Sequence, residues 1–344
     1  MTKILFQCET RVRRTYRGGK LIDAFLGKEN PADTGTPEDW ISSFVEAKNR
    51  NYTEGEGLTE VSVDGGRMRL CDVVSMEDLG PGRSDSGVLM KLLDAGERLG
   101  IQVHPTAEFA TAHFGVGYGK TECWHILATR EKEDCAVYIG FKEGITKTLW
   151  RSLYERQDID GMLAWMHRIP VKAGDTVLVR AGTPHAIGAG CFLLEIQEPT
   201  DFTMRVEKTT VSGEVLTPHQ LHYGAGEEAL FECFLYDGIS EAEARSKYVV
   251  ERCRTDVGRE RLVGFSDTPC FALEKLSCGG VIKAPDSFVT LVVTCGGDLT
   301  VGEEALLVRR GDKLFVPYGS GDIASHGAEI LVCYPPTGNG TKPV

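Results

Sequence analysis

The sequence predicts a mainly β protein, built from two related β-barrel units with a small helical insertion. Three observations carry this. Short apolar runs bounded by Gly, Pro and Asp recur along the chain, among them residues 177–179, 191–198, 288–294 and 329–334. A frame repeats: Gly174-Asp175 is followed by Gly182 eight residues after the first Gly and by His185 eleven after it, and Gly311-Asp312 by Gly319 and Asp322 at the same offsets. Between residues 144 and 167 the strand pattern stops, and Leu149, Leu153, Tyr154, Met162, Leu163 and Met166 recur at helical spacing around Asp160-Gly161. A length of 344 residues suits two domains. The boundaries read as 1–230, with the helical insertion near 145–167, and 241–344, joined by a linker within 216–241 where Gly224 and Gly226 break the pattern.

In chain order, residues 11–17 carry four Arg and read as an edge strand with a basic face, or as a phosphate contact. A short helix is expected over 21–26, and a new element from Pro37 through Trp40 to Ser43. Residues 88–93 form an apolar strand around Lys91, which either snorkels or reaches into a site. The strand resumes at 99–102. Residues 108–119 turn polar and Gly-rich and read as a mobile loop; a strand over 121–127 follows, with Lys120 and Glu122 on one face. The strand over 191–198 presents Glu195 and Gln197 on one face and Leu194 and Ile196 on the other. The C-terminal copy of the repeat carries Asp322 where the first carries His185, so it has lost a ligand and takes a structural or interface role.

Composition narrows the function classes. Hydrophobic residues at 42% and charged residues at 26% are ordinary for a globular protein. A net charge of −12 argues against a nucleic-acid or anionic-membrane surface, and an anionic substrate would need a local basic pocket. No apolar run reaches membrane-spanning length, and the first six residues lack a signal-peptide core. Eleven cysteines, an odd number without a C-x-x-C pair, several in apolar runs, read as reduced buried thiols in the cytoplasm.

The chemistry concentrates in residues 102–185. Gln102 and His104 are separated by Val103, so on a strand both point one way. Glu122 and His185 complete a set of two imidazoles, a carboxylate and an amide oxygen. Such a mixed N/O set suits a borderline divalent ion, zinc first, with a position left for water or substrate. Lys120 beside a carboxylate ligand is a catalytic candidate, with a plain ion pair to Glu122 as its ordinary role. Glu195, facing inward, and Arg205, ten residues on, fit proton transfer next to a carbonyl: a base, a cation and a Lewis acid. A salt bridge between the two is the structural alternative. His125 and His167 have no partner motif and read as structural.

These residues carry a resemblance. Gly-Asp, strand, Gly-x-x-His resembles the second motif of the cupins, small antiparallel jelly-roll barrels. Four blocks, from Gln102-Val103-His104-Pro105, through Lys120-Thr121-Glu122 and Gly182-Thr183-Pro184-His185, to Glu195 through Arg205, resemble the short bacterial form of type I mannose-6-phosphate isomerase over residues 88–207. The resemblance implies two cupin barrels and one zinc ion per chain on Gln102, His104, Glu122 and His185. It places Arg205 on the family's active-site arginine, and Lys120 and Glu195 on the pocket wall. Through the looser match of Trp40-Ile41-Ser42-Ser43, it implies substrate contacts by Trp40 and Ser43. The implied reaction interconverts mannose 6-phosphate and fructose 6-phosphate through an enediol, with a sugar phosphate as the small-molecule partner. Pro37-Glu38-Asp39 and the segment after Arg205 depart from the family pattern, which leaves open a related isomerase acting on another sugar; the competing classes are a non-catalytic two-barrel sugar-binding module and a metal-dependent cupin dioxygenase or epimerase.

Overall fold

The computed structural model describes residues 3–131 and 133–337. The chain folds into five stacked layers: helices, then sheets of five, six, seven and four strands. The six-stranded sheet shows why. Along Cys191–Gln197, Leu193 packs into one core, while Leu194 and Ile196 pack into another. A strand alternates its side chains, so apolar residues at successive positions bury both faces.

One face of that sheet closes on the five-stranded sheet over a core that includes Leu93, Ile126, Val137, Ile139, Ile187 and Leu193. This is the first jelly-roll barrel. Its other face carries Met90, Leu92, Cys123, Leu194 and Ile196 and packs on the seven-stranded sheet through Leu273, Phe315, Leu331 and Cys333. The opposite face of the seven-stranded sheet closes on the four-stranded sheet over Val289, Leu291, Leu314, Ile323, Ile330 and Val332, the interior of the second barrel. The N-terminal strand Leu5–Phe6 pairs with Phe315 and Leu314, so the start of the chain is stitched into the second barrel's sheet.

The internal repeat is present backbone for backbone. Gly174 N–H donates to Ile126 O at 2.8 Å and Gly311 N–H to Val293 O at 2.9 Å, with φ of 90° and 92°. Gly182 and Gly319 follow with φ of 82° and 81°. The copies then slip by one residue: the next strand starts at His185 in the first and at Ile323, not Asp322, in the second. Asp322 instead pairs with Lys283 at 2.8 Å, and Ile323 is buried in the second core. The whole strand order repeats as well: the strands at 176–179, 122–129, 191–197, 89–94, 38–41 and 11–12 of the six-stranded sheet correspond in order to 313–316, 289–295, 329–334, 272–276, 259–263 and 253–256 of the seven-stranded sheet, and 166–170, 136–141, 185–187 and 102–103 of the five-stranded sheet to 304–308, 297–301, 323–325 and 281–282 of the four-stranded sheet.

Helices Lys147–Arg156 and Ile159–Ala164 occupy the stretch with helical spacing. Residues 216–241, read as a linker, also hold two helices, Pro218–His222 and Glu227–Glu232. Trp150, Leu153, Met162, Leu230 and Phe231 cover the outer face of the five-stranded sheet, where Val103, Ala186 and Met204 point. Part of the loop expected over 108–119 is a helix, Ala107–Phe114, capped by Thr106 and ended by Gly115 at φ 67°. No helix among the described residues is long and apolar enough to cross a membrane.

Candidate active site and metal centre

Two rows of side chains meet at the mouth of the first barrel. On the five-stranded sheet Arg205 lies opposite Gln102, and Gln102 opposite His185, so three adjacent strands contribute one polar row. On the six-stranded sheet Trp40, Lys91, Glu195 and Trp124 form a second row across four strands. Glu122 opens the strand Glu122–Thr129, and Lys120 N–H bonds Pro105 O at 3.0 Å, which draws Lys120 and Glu122 towards His104. The turn before His185 needs Gly182: its φ is positive, and a Cβ there would sit 2.7 Å from Leu235 Cγ.

His104, Glu122 and His185 are fully buried, with one ligand atom of each within 4.8 Å of the others, the only such group among the described residues. Hydrogen bonding fixes both tautomers. His104 Nδ1 lies 2.9 Å from Phe202 O and His185 Nδ1 lies 2.9 Å from Thr183 O. A carbonyl can only accept, so each Nδ1 carries the proton and each Nε2 offers a lone pair. Those lone pairs face Glu122: His104 Nε2 is 3.0 Å from Oε2 and His185 Nε2 is 3.5 Å from Oε1. Burial, with Lys120 next, lowers His104 to about 3, and burial lowers His185, so no imidazole proton mediates these contacts at neutral pH. Burial pushes Glu122 up, but Lys120 and then His104 beside it together outweigh burial and hold the carboxylate well below its usual range. Glu122 Oε2 has no hydrogen-bond partner, although Lys120 Nζ is 3.0 Å away as an ion pair. Two unprotonated Nε2 atoms and a carboxylate, all within 4.8 Å of one another, are the mixed N/O donors that a borderline divalent ion takes. The donor set therefore fits a divalent metal, and Gln102, whose amide nitrogen is 3.1 Å from His185 Nε2, stands beside it.

The cleft leading to this cluster is lined by Arg14, Lys48, Arg50, Lys91, Arg98, Lys120 and Arg205 against Glu38, Glu195, Asp201 and Glu207, an excess of positive charge. It is the local basic pocket that an anionic substrate requires in an acidic protein. Lys120 Nζ lies 2.9 Å from His104 Nε2. Arg205 is pinned by Thr203 O and Gln220 O at 3.1 and 2.8 Å. Glu195 is buried with Lys91 Nζ 3.2 Å from Oε1, and burial, followed by the charge of Glu122, raises its pKa.

Known proteins with the same sequence pattern decide the family. Mannose-6-phosphate isomerase ManA of Bacillus subtilis is 30% identical over 254 residues, 72% of this chain and 74% of that protein. The mannose-6-phosphate isomerase of Streptococcus mutans is 33% identical over 243 residues, 69% and 71% of the two chains. The chain belongs to the type I mannose-6-phosphate isomerase family. No family model matches it. The crystal structure of the mannose 6-phosphate isomerase from Bacillus subtilis shares the fold at a TM-score of 0.75 and 21% identity, covering 97% of this chain and all of that one. A zinc-bound mannose 6-phosphate isomerase shares it at a TM-score of 0.71 and 13% identity, covering 97% and 100%.

Membership of this isomerase family does not place every expected residue at the cleft. Trp40 and Ser43 are fully buried and do not line it, which corrects the expectation of direct substrate contacts. The Trp40 indole N–H donates to Glu38 at 2.7 Å, and its ring lies 5.1 Å from both the Arg14 guanidinium and Lys91 Nζ. Ser43 hydroxyl donates to Val45 O. Trp40 therefore supports the cleft floor from behind. Gln197 also faces inward, but its amide bonds Thr200 O at 2.6 Å and holds the turn before Arg205. His125 bonds Thr176, and His167 bonds Phe141 O, both away from the cleft.

The sequence leaves Arg14 and Lys91 between a site role and a structural one and assigns no role to Glu38 or Asp201; all four line the cleft. Arg14 bridges Glu38 at 2.8 Å and Asp201 at 2.9 Å, and Lys91 lies 3.7 Å from Glu38. Lys91, a lysine inside an apolar strand, and Arg14, in the basic run, were visible as anomalies. Glu38 and Asp201 carried no such signal.

Proposed function

We propose that this chain interconverts mannose 6-phosphate and fructose 6-phosphate, with one zinc ion held by His104, Glu122, His185 and the amide oxygen of Gln102. The observation behind it is the pair of deprotonated Nε2 atoms converging on a carboxylate at the head of a basic cleft, in a chain of this isomerase family. The mixed N/O donors suit zinc, and a structural neighbour is a zinc-bound isomerase. When bound, the ion supplies Lewis-acid polarisation of the sugar oxygens and stabilises developing negative charge.

The protein's own groups do the rest. Glu195 takes the proton from C2 of the aldose and returns it to C1, through an enediol. Its raised pKa strengthens it as a base while Lys91 keeps it oriented. Arg205, immobilised by two backbone carbonyls, stabilises the enediolate or holds the substrate, and Lys120 takes the other task. The cations at the cleft mouth attract the phosphate.

The test is incubation with fructose 6-phosphate in deuterated water, with and without chelator. Deuterium should enter C1 in the metal-loaded protein and stop entering when the metal is stripped. Binding of the sugar phosphate without any exchange would reduce the protein to a sugar-binding module, and exchange only with a different sugar would reassign the substrate.

A further inference from the structure

Because the two barrels share one strand order, the rungs of the isomerase cleft on the six-stranded sheet have counterparts in the second barrel, whereas the strand Met204–Arg205 has none. Glu122 lies opposite Val179, and Val289 lies opposite Val316. Glu195 stands between Trp124 and Lys91, and Val332 between Leu291 and Glu274. Lys91 pairs with Trp40 and Glu274 with Arg261; Leu93 pairs with Glu38 and Leu276 with Arg259. The positions of the metal carboxylate and of the inferred base have thus become Val289 and Val332. The ion pair beside them persists with its signs exchanged: Glu38 and Lys91 become Arg259 and Glu274, 2.8 Å apart.

A cavity of about 670 Å³ lies at this place, of a size that holds a small molecule. Its charged lining is Arg83, Arg259, Arg261 and Lys283 against Glu274 and Asp286. Glu274 is committed to Arg259 and to the Tyr334 hydroxyl, and Lys283 to Asp322. Arg261 has no ion-pair partner among the described residues. Arg83 is 8% exposed; its Nη2 donates to Pro336 O, while its Nη1 makes no hydrogen bond. Arg259 Nε is likewise buried and unpaired. Those two atoms have almost no accessible surface and do not themselves face the cavity; what the cavity presents is Arg261, with Arg83 and Arg259 beside it, guanidinium groups of the kind that pair with a planar or tetrahedral oxyanion.

We propose that the mouth of the second barrel is a metal-free binding site for a small molecule bearing an oxyanion, a phosphate or a carboxylate, held by Arg83, Arg259 and Arg261. The site is separate from the isomerase cleft and binds without proton-transfer or metal-ligating groups.

Calorimetric titration of the whole metal-loaded protein with inorganic phosphate and with citrate tests this, comparing wild type with Arg261→Glu. Wild type should show an anion site that Arg261→Glu weakens by at least about tenfold, the worth of one charge-assisted contact. Turnover at the isomerase cleft should stay unchanged in that variant. Loss of phosphate binding alone identifies a phosphorylated ligand, and loss of citrate binding alone a carboxylate. Arg83→Met should lose the same site; should it not fold, the half-exposed Arg261→Glu decides. Equal binding of both probes by wild type and Arg261→Glu, or binding of neither by wild type, overturns the proposal.

Discussion

A buried charge survives only when its neighbours compensate it, and the cleft floor is a chain of such compensations. Asp201, Arg14, Glu38, Lys91 and Glu195 alternate in sign through contacts of 2.9, 2.8, 3.7 and 3.2 Å. Burial alone would raise Glu38, yet Arg14 and then Lys91 bring it down from 4.5 to about 2. Its folded-state pKa is depressed, so the stability it contributes is complete above pH 4.5 and is lost as pH falls towards 2. That contribution is on the order of 3 kcal/mol. Denaturant titrations across this window should show the loss in wild type and its absence in Glu38→Gln, which is already destabilised at neutral pH. At the reacting end, Glu195→Gln should lower kcat by about 10²–10⁴-fold while metal content stays at the wild-type level. Arg205→Ala should cost about 10²–10³-fold, again with metal retained. His104→Ala should differ from both by losing the metal itself, read by elemental analysis of the purified protein.

Strands and turns, rather than helices, set the geometry of the site. His185 is delivered by the turn at Gly182, and the same turn is fastened by Leu235 N–H to Gly182 O at 2.9 Å. Gly182→Ala would combine a left-handed backbone with a Cβ 2.7 Å from Leu235. It should destabilise by about 1–3 kcal/mol and lower metal affinity, measured by melting temperature and by competition with a chelating dye. Retained affinity with a lowered melting temperature would show that the turn supports the barrel but does not aim His185. The repeated Gly-Asp turn in the second barrel has the same φ values, but its following strand starts one residue later. A one-residue slip exchanges the faces of a strand. That slip puts Ile323 in the second core and leaves Asp322 with Lys283 at the surface.

The two barrels share a core rather than merely touching. Phe288 and Phe315 stack at 5.0 Å within the layer that also holds Met90, Leu92 and Ile196 of the first barrel. The strand Leu5–Phe6 crosses into the second barrel before the first begins. The first barrel alone would therefore expose one whole apolar face of its six-stranded sheet. Phe315→Ala should cost about 3–5 kcal/mol, and both barrels should melt in one transition that shifts as a unit, followed by calorimetry. Two separate transitions in wild type would show that the shared layer is not cooperative.

What the sequence determined by itself was local: alternation that makes strands, the Gly-Asp turn repeated twice, a helical interlude, and ligand types whose spacing places Gln102 and His104 on one face. Those signals act over a few residues, so they are legible without the fold. Glu195 and Gln197 facing away from Leu194 and Ile196 follow from the same period of two. What only the tertiary structure decided were pairings between distant strands. Lys91 becomes a cleft residue because register sets it between Trp40 and Glu195, and Asp201 because Arg14 reaches it from across the barrel. Trp40, a substrate contact only by the family resemblance, stands behind the pocket in three dimensions, since the charged residues on its ring occupy the open side. The helices Ala107–Phe114 and Glu227–Glu232 were hidden because Gly115 and Gly226 sit at their caps, where a turn and a helix end share one signature. The second cavity is likewise a product of register, because the charges that line it come from strands and loops far apart in the chain.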